Sequence, residues 1–597
     1  MTSSSASRST PKPEEAEAEP EQRRRWLGPL LVLALFAAAL GLRARGVEHG
    51  MPRNYVPDTH VVRSALGMAQ EKSLAPPVGR YSTYPNLVPY LLLPAYGGYF
   101  ALGSAEGRWE GVSGFKEHVL AKPAGVHLIA RWLLVLMGAL TPLLVLRAAR
   151  AAGLGAGAWF AAALTATGLM HVHFSVQERP WGAVVFFAAL AAWPAALYAT
   201  EPTRRRLLLC GLAAALGAAC HQSGFFLLAL PGFAWLTSVR GWTGADLKAR
   251  LVEGTLCVAA FLAVAIVVGY PSYLLHGMPT SAQTIGGDQA DLAVGGQSIN
   301  FGREWSSVPK LGSALFGYDP VLLLLGLAGA LPLLRRRAAR GTVLFALVWG
   351  AFFLTHSNPH IRYLLPFLVL LALPAGALLG SLWERGPAAR VAALILALLP
   401  LVPAWRLGSV LSQDDSRVGG EALLADLGPE SFVLIDRYGP VVDLDRGSLE
   451  TLMTIREATG GTLYNREARR LQALASGELE GGVRALYAAD LFEIDEITRT
   501  VTPRAGLSER YGATATEVID ALGFTHVMLV NRIAVDAPPD PLWTVANGTD
   551  LRTLGPWDAE SWGQPSELRL PMELEFPLTA LWRVERPGPE LVLRELP

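Results

Sequence analysis

The chain has 597 residues, with 51 Lys and Arg against 51 Asp and Glu, and only 17% of it is charged. Soluble domains carry closer to a quarter charged residues, and the mean hydropathy is +0.32, which excludes an ordinary soluble globule. A neutral chain without a basic face also makes nucleic acid an unexpected partner.

In chain order, residues 1–25 form a Ser-, Pro-, Glu- and Ala-rich tail that reads as disordered and cytoplasmic. Arg23–Arg25 precede the apolar run Trp26–Leu42 without a convincing small-residue cleavage site, so this run reads as an uncleaved anchor. Apolar blocks then recur to residue 406, most of them long enough to cross a hydrocarbon core of about 30 Å. They are Val126–Leu146, Gly153–Met170, Trp181–Ala199, Leu207–Ala219, Gly224–Val239, Leu251–Tyr270, Val321–Leu334, Thr342–Thr355, Tyr363–Leu382 and Val391–Trp405. About eleven spans are therefore expected.

Arginine placement orients them. Arg23–Arg25, Arg147 and Arg150, Arg204–Arg206, Arg240 and Arg250, Arg335–Arg337 and Arg385 fall in alternate loops. Taking these loops as cytoplasmic puts residues 46–123, 171–180, 272–319 and 356–362, with everything after Trp405, on the outer side. The expected organisation is a polytopic α-helical membrane domain over 26–411, multi-pass in the plasma (inner) membrane. An extracytoplasmic α/β or α+β domain follows over 412–597, with strands at Phe432–Asp436, His526–Val530 and Leu578–Val584 and helices at Leu449–Ala458, Glu467–Ala475 and Ala515–Leu522. Cys210, Cys220 and Cys257 lie in or beside apolar blocks and form neither a disulfide framework nor a Cys-x-x-Cys pair.

The residues with chemistry to offer gather in the outer loops. Asp58, in Tyr55-Val56-Pro57-Asp58-Thr59-His60, precedes the apolar pattern Val61, Val62, Ala65, Leu66 and Ala69. It reads either as the N-cap of an amphipathic helix on the membrane surface or as a general base for an acceptor hydroxyl or amine. His171, His173, Glu178 and Arg179 share one outer loop. Two histidines two apart share a side only in extended chain, so a metal would need an extended loop and further ligands. A guanidinium at Arg179 suits a phosphate, with Glu178 orienting phosphate or acceptor; an interfacial charge pair is the plain alternative. Arg362-Tyr363 opens a span, where an arginine facing lipid would be costly. It therefore reads as a phosphate contact or an interfacial anchor, with His356 and His360 beside it. His221, in the turn between two short spans, is a further contact for a lipid headgroup. Gly286-Gly287 and Gly295-Gly296 suggest a lid. No Walker loop, dinucleotide fingerprint or zinc-protease helix occurs, so a cytosolic nucleotide-sugar donor is not expected.

This layout resembles the GT-C superfamily of lipid-linked membrane glycosyltransferases, especially bacterial relatives of protein O-mannosyltransferases and of lipid A aminoarabinose transferases. Asp58 in the first outer loop matches the position of that family's acid. Tyr84-Pro85-Asn86-Leu87-Val88-Pro89-Tyr90 resembles its aromatic–proline segment, Gln177-Glu178-Arg179-Pro180-Trp181 the loop before the fourth span, and Arg362-Tyr363-Leu364-Leu365-Pro366 a late span start. Asp415-Ser416-Arg417 resembles the beginning of the outer C-terminal domain. The resemblance implies a polyprenyl-phosphate sugar as donor, an outer-face acceptor that is protein, lipid or glycan, and an inverting transfer. Asp58 would be the base, Arg179 and Arg362 would hold the donor phosphate, and His60, Tyr84, His171, His173, Glu178, His221, His360 and Tyr363 would contact donor or acceptor. No cofactor is expected. The chain departs from the family in following its acid with Thr59 where many members have Glu. Two other classes stay open on the sequence: a transporter or flippase of lipid-linked precursors, and a non-catalytic envelope-assembly protein.

Overall fold

A computed structural model describes residues 14–55, 59–77, 84–277, 292–294, 297–299, 302–357, 360–495, 498–531, 541–555 and 578–597. Helices lie under every expected span. Among the described residues six are long and apolar enough to cross a membrane, or up to seven when the pair Ser307–Tyr318 and Pro320–Leu334, bent by 112° at Asp319, is taken as one. The other expected spans fall on shorter or broken helices. Gly153–Met170 becomes Gly157–Thr167 followed, across a non-helical Gly168, by Leu169–Ser175. Gly224–Val239 becomes a 3₁₀ segment, Gln222–Leu228, running into Ala229–Thr237.

The helices pack through small residues. A Cβ on Gly329 would lie 2.1 Å from the carbonyl oxygen of Pro374, and one on Gly376 would lie 2.4 Å from that of Gly157. Such close backbone approach is how helices associate where the surrounding solvent is as apolar as the side chains.

Loops expected on one face do meet one another. Arg336 Nη1 donates to Gly153 O (2.9 Å), Val239 N to Ala199 O (3.2 Å) and Arg240 Nη2 to Pro202 O (3.0 Å). At the opposite end Asn86 N donates to Gly269 O (2.9 Å), Leu87 N to Ala219 O (3.0 Å) and Ser357 N to Gly302 O (3.1 Å).

The stretch 46–123 is more ordered than a loop. It holds the helices His60–Glu71, Leu87–Ala105 and Gly111–Ala121. His60–Glu71 buries Val61, Val62, Ala65 and Met68 against Leu87–Ala105 and Ala124–Ala151. Its apolar face is thus covered by protein, which corrects the expectation of a helix lying on a membrane surface. Thr59, not Asp58, occupies its N-cap position, and the Thr59 side chain makes no capping hydrogen bond.

The C-terminal part has its own core around Val433–Ile435, Leu449, Leu452 and Val527–Val530. Its larger sheet has five described strands, β1 (Val433–Ile435), β2 (Ala485–Tyr487), β3 (His526–Asn531), β4 (Thr549–Leu554) and β5 (Glu590–Glu595), in the order β2-β1-β3-β5-β4. β1 runs parallel to β2 and β3, while β5 is antiparallel to β3 and β4. Helices Arg446–Ala458, Asn465–Ser476 and Ala515–Leu522 flank this mixed sheet where helices were expected. One expected strand is not a strand. Residues 578–584 make a short helix, Leu578–Leu581, because Leu578, Leu581 and Val584 recur every three residues and sink together into the main helical core. Arg406 Nη2 fastens this segment by donating to Val584 O (2.7 Å).

Candidate active site

Five separate chain segments converge at one end of the bundle. The start of helix His60–Glu71 brings His60. The segment before Leu87 brings Tyr84, fixed by the Asn86 and Leu87 amides on the ends of two other helices. The turn before the 3₁₀ segment brings His221, whose Nδ1 accepts from Ser223 N (3.1 Å). Helix starts at residues 181 and 361 bring Trp181, Arg362 and Tyr363. Prolines at Pro180 and Pro366 suit these starts, because the first helical turn has no partner for the missing N–H.

The rings form a continuous wall. Centroids lie 5.2 Å apart for His60 and Tyr84, 5.3 Å for Tyr84 and His221, 4.0 Å for His221 and Trp181, 5.0 Å for Trp181 and Tyr363, and 5.4 Å for Tyr363 and His360. The Arg362 guanidinium carbon sits 5.5 Å from the Trp181 ring and 5.6 Å from the Tyr363 ring, within cation–π range. Trp181 is only 3% exposed, and its Nε1–H meets no hydrogen-bond acceptor among the described residues.

Two guanidiniums act on the patch. Burial, then the charges of Arg362, Arg179 and His356, hold His360 down at about 3. Burial and the Arg362 charge likewise keep His221 well below the usual histidine range. Both imidazoles are therefore neutral at pH 7, and the cations at the rim are guanidiniums. Arg179, 3% exposed, belongs to this electrostatic neighbourhood.

His171, His173 and Glu178 lie beneath the patch, each 1% exposed or less. The two histidines sit on helix Leu169–Ser175 and face different partners, as their spacing on a helix requires. His171 Nδ1 is 2.8 Å from Arg43 Nη2, while His173 Nε2 is 3.0 Å from Gln177 Nε2. Among the described residues no group of three His, Cys, Asp or Glu is placed to hold a metal ion.

Glu178 is the hub of a buried network. Its Oε2 accepts from Arg131 Nε (2.8 Å), and its Oε1 accepts from Asn54 Nδ2 (2.5 Å) with His127 Nδ1 at 2.8 Å. Burial alone would push this carboxyl up. The His127 hydrogen bond and the Arg131 charge more than offset it and hold the group below its ordinary value. Arg131 in turn donates to Val47 O (2.8 Å), His49 O (2.6 Å) and Asn54 Oδ1 (2.7 Å). Sequence reasoning missed Arg131, Asn54 and His127. The available signal was Arg131 itself, a cation inside an expected span. Asp319 was missed as well; it accepts from Leu169 N (2.7 Å) and Met170 N (2.9 Å) and so caps helix Leu169–Ser175 from a distant part of the chain.

The C-terminal domain grips the first outer loop just before residue 58. Arg53 bridges Glu421 and Asp443, both at 3.1 Å, and Tyr55 donates to Glu421 while accepting from Val441 N (3.2 Å). Arg53, Glu421 and Asp443 also line a cleft of about 570 Å³ with Leu424, Val442 and Arg484. Asp58 itself and the glycine pairs at 286–287 and 295–296 lie outside the described residues.

No protein-family model matches the sequence, and no curated protein matches it. Solved structures do show likeness. An oligosaccharyltransferase from Archaeoglobus fulgidus, in complex with zinc and sulfate, is similar over 84% of this chain and 68% of its own, at 12% identity and a TM-score of 0.46. ArnT from Cupriavidus metallidurans, bound to undecaprenyl phosphate, is similar over 68% of this chain and 66% of its own, at 15% identity and 0.42. The arabinofuranosyltransferase AftD from Mycobacteria is similar over 96% of this chain, which spans 40% of AftD, at 15% identity and 0.43. Likeness of this size describes a shared outline of the fold.

Proposed function

We propose that this protein is a membrane glycosyltransferase that moves a sugar from a polyprenyl-phosphate donor to an acceptor on the outer face of the membrane. The observation that carries the reading is the rim patch. Arg179 and Arg362, distant in sequence, act on one neutral histidine, His360, and the unpaired Trp181 Nε1–H adds a donor beside them. Two guanidiniums, that of Arg362 backed by the Trp181 and Tyr363 rings, suit a phosphate whose lipid chain lies along the helices. The transfer then needs little else, because the sugar phosphate is already activated. The acceptor oxygen or nitrogen attacks the anomeric carbon while the bond from that carbon to the phosphate oxygen breaks. The electron pair leaves with the polyprenyl phosphate, stabilised by Arg179 and Arg362. The acceptor's proton passes to the Asp58 carboxylate. Attack opposite the phosphate inverts the anomeric configuration.

Asp58 is two residues before His60, which stands in the ring wall, and three after Tyr55, which the C-terminal domain holds. His60, Tyr84, His221, His360 and Tyr363 are the side chains we assign to direct contact, and the cleft beside Arg53 offers the acceptor a docking surface. His171, His173 and Glu178 support them from below.

Binding of polyprenyl phosphate to purified protein in detergent tests this. Arg362→Ala should weaken it about 10- to 100-fold, the worth of a charge-assisted contact, with the melting temperature within a few degrees of wild type. Unchanged affinity together with a large loss of thermal stability would make Arg362 an interfacial anchor and remove the donor site.

A further inference from the structure

We propose that Glu178 is a positioning residue that sets the separation between the base and the donor phosphate by tying the Asp58 loop to the Arg179 turn. The inference rests on the glycosyltransferase reading above, and it assigns Glu178 away from substrate.

Three observations carry it. First, Glu178 has no room for a ligand: it is 0% exposed, and Arg131, Asn54 and His127 occupy both of its oxygens. Second, one of its partners, Asn54, belongs to the segment leading to residue 58, while Arg131 and His127 stand on helix Ala124–Ala151. Through Arg131 the same hub collects Val47 O, His49 O and the Asn54 side-chain oxygen. Asn54 sits in the left-handed region (φ 57°), a conformation asparagine tolerates better than most residues. The chain therefore turns at the point where its side chain is pinned, four residues before Asp58. Third, Glu178 is covalently next to Arg179, and the turn bearing both follows a helix whose first amides Asp319 caps. One carboxylate thus joins the two halves of the proposed site: the loop of the base on one oxygen, and on its own backbone the arginine that receives the leaving phosphate.

The charge matters as much as the contacts. Removing one member of a buried, hydrogen-bonded ion pair leaves the other uncompensated and is strongly destabilising. Glu178→Ala or Arg131→Ala would therefore confuse folding with positioning. Asn54 gives the cleaner test. Asn54→Gly accepts the left-handed backbone, leaves the Glu178–Arg131 pair and its bonds to Val47 O and His49 O intact, and removes the side-chain ties nearest residue 58, those of Asn54 to Glu178 and Arg131.

Wild type, Asn54→Gly, Asp58→Asn and the double variant are each expressed in a host lacking its own copy of the protein, so that the membranes supply native donor and acceptor. Modified acceptor is read by mass spectrometry, and polyprenyl-phosphate binding is measured on purified protein. Asn54→Gly is expected to lower the transfer rate 10- to 100-fold, the effect of a misplacement of about 1 Å. Phosphate affinity should stay within about twofold and the melting temperature near wild type. Asn54→Asp, which puts a carboxylate beside Glu178, should be worse than Asn54→Gly. In the Asp58→Asn background, Asn54→Gly should remove little further activity, since residues acting through one group are not additive. Wild-type transfer by Asn54→Gly, while Asp58→Asn is inactive, overturns the positioning role and leaves the parent reading standing. Full transfer by Asp58→Asn overturns the parent reading.

Discussion

Glu590 on β5 is buried, and its carboxyl, receiving one hydrogen bond from Asn531 Nδ2 (2.5 Å), is pushed up to about 7 by burial. A carboxyl raised on folding adds stability at pH values below its unfolded pKa and loses that contribution as pH rises through the folded value. The C-terminal domain should therefore lose about 1–3 kcal/mol between pH 5 and pH 8, and Glu590→Gln should flatten the profile. Thermal melts across that range check it, and a wild-type profile as flat as the variant's would reject it. At this scale the sequence was legible where one residue carries its own chemistry. Arg179, Arg362 and His221 stood out by type and by position at span ends, Tyr84 by its aromatic–proline segment, and the fold gathers them. It was not legible where the chemistry depends on pairing. Glu178 looked like a rim acid until Arg131, Asn54 and His127, distant in sequence, proved to be its partners.

Among elements, long apolar runs were readable because hydrophobic length alone marks a span. Breaks within them were not. The bend at Asp319 and the interruption at Gly168 follow from tertiary caps and packing, which leave little trace in local sequence. Residues 578–584 show the limit most directly. Their β-like composition suggested a strand, yet contact with helix Leu401–Leu411 selects the three-residue repeat. This contact anchors the C-terminal domain to the helical body. Leu581 is 0% exposed, so Leu581→Ala should cost about 2–5 kcal/mol and expose the junction near residue 411 to limited proteolysis. A cleavage pattern identical to wild type would deny the anchor.

For the whole molecule, the arginine alternation assigns loops to two faces, and the contacts group them in the same two sets. The three native cysteines are buried and should stay silent to a membrane-impermeant maleimide, so single introduced cysteines report topology cleanly. Ser476→Cys, on the exposed surface of the C-terminal domain, should react in intact cells. Arg385→Cys, also exposed, should react only after permeabilisation. The reverse pattern would place the site on the cytoplasmic side and end the case for an outer-face acceptor.

In the proposed reaction Asp58 is the base, and Arg179 and Arg362 receive the phosphate. The most direct measurement is sugar transfer by purified, correctly folded Asp58→Asn in membranes containing native donor and acceptor. A loss of at least about a hundredfold with unchanged polyprenyl-phosphate binding is the predicted result, in line with removal of a general base. Transfer at the wild-type rate would contradict it.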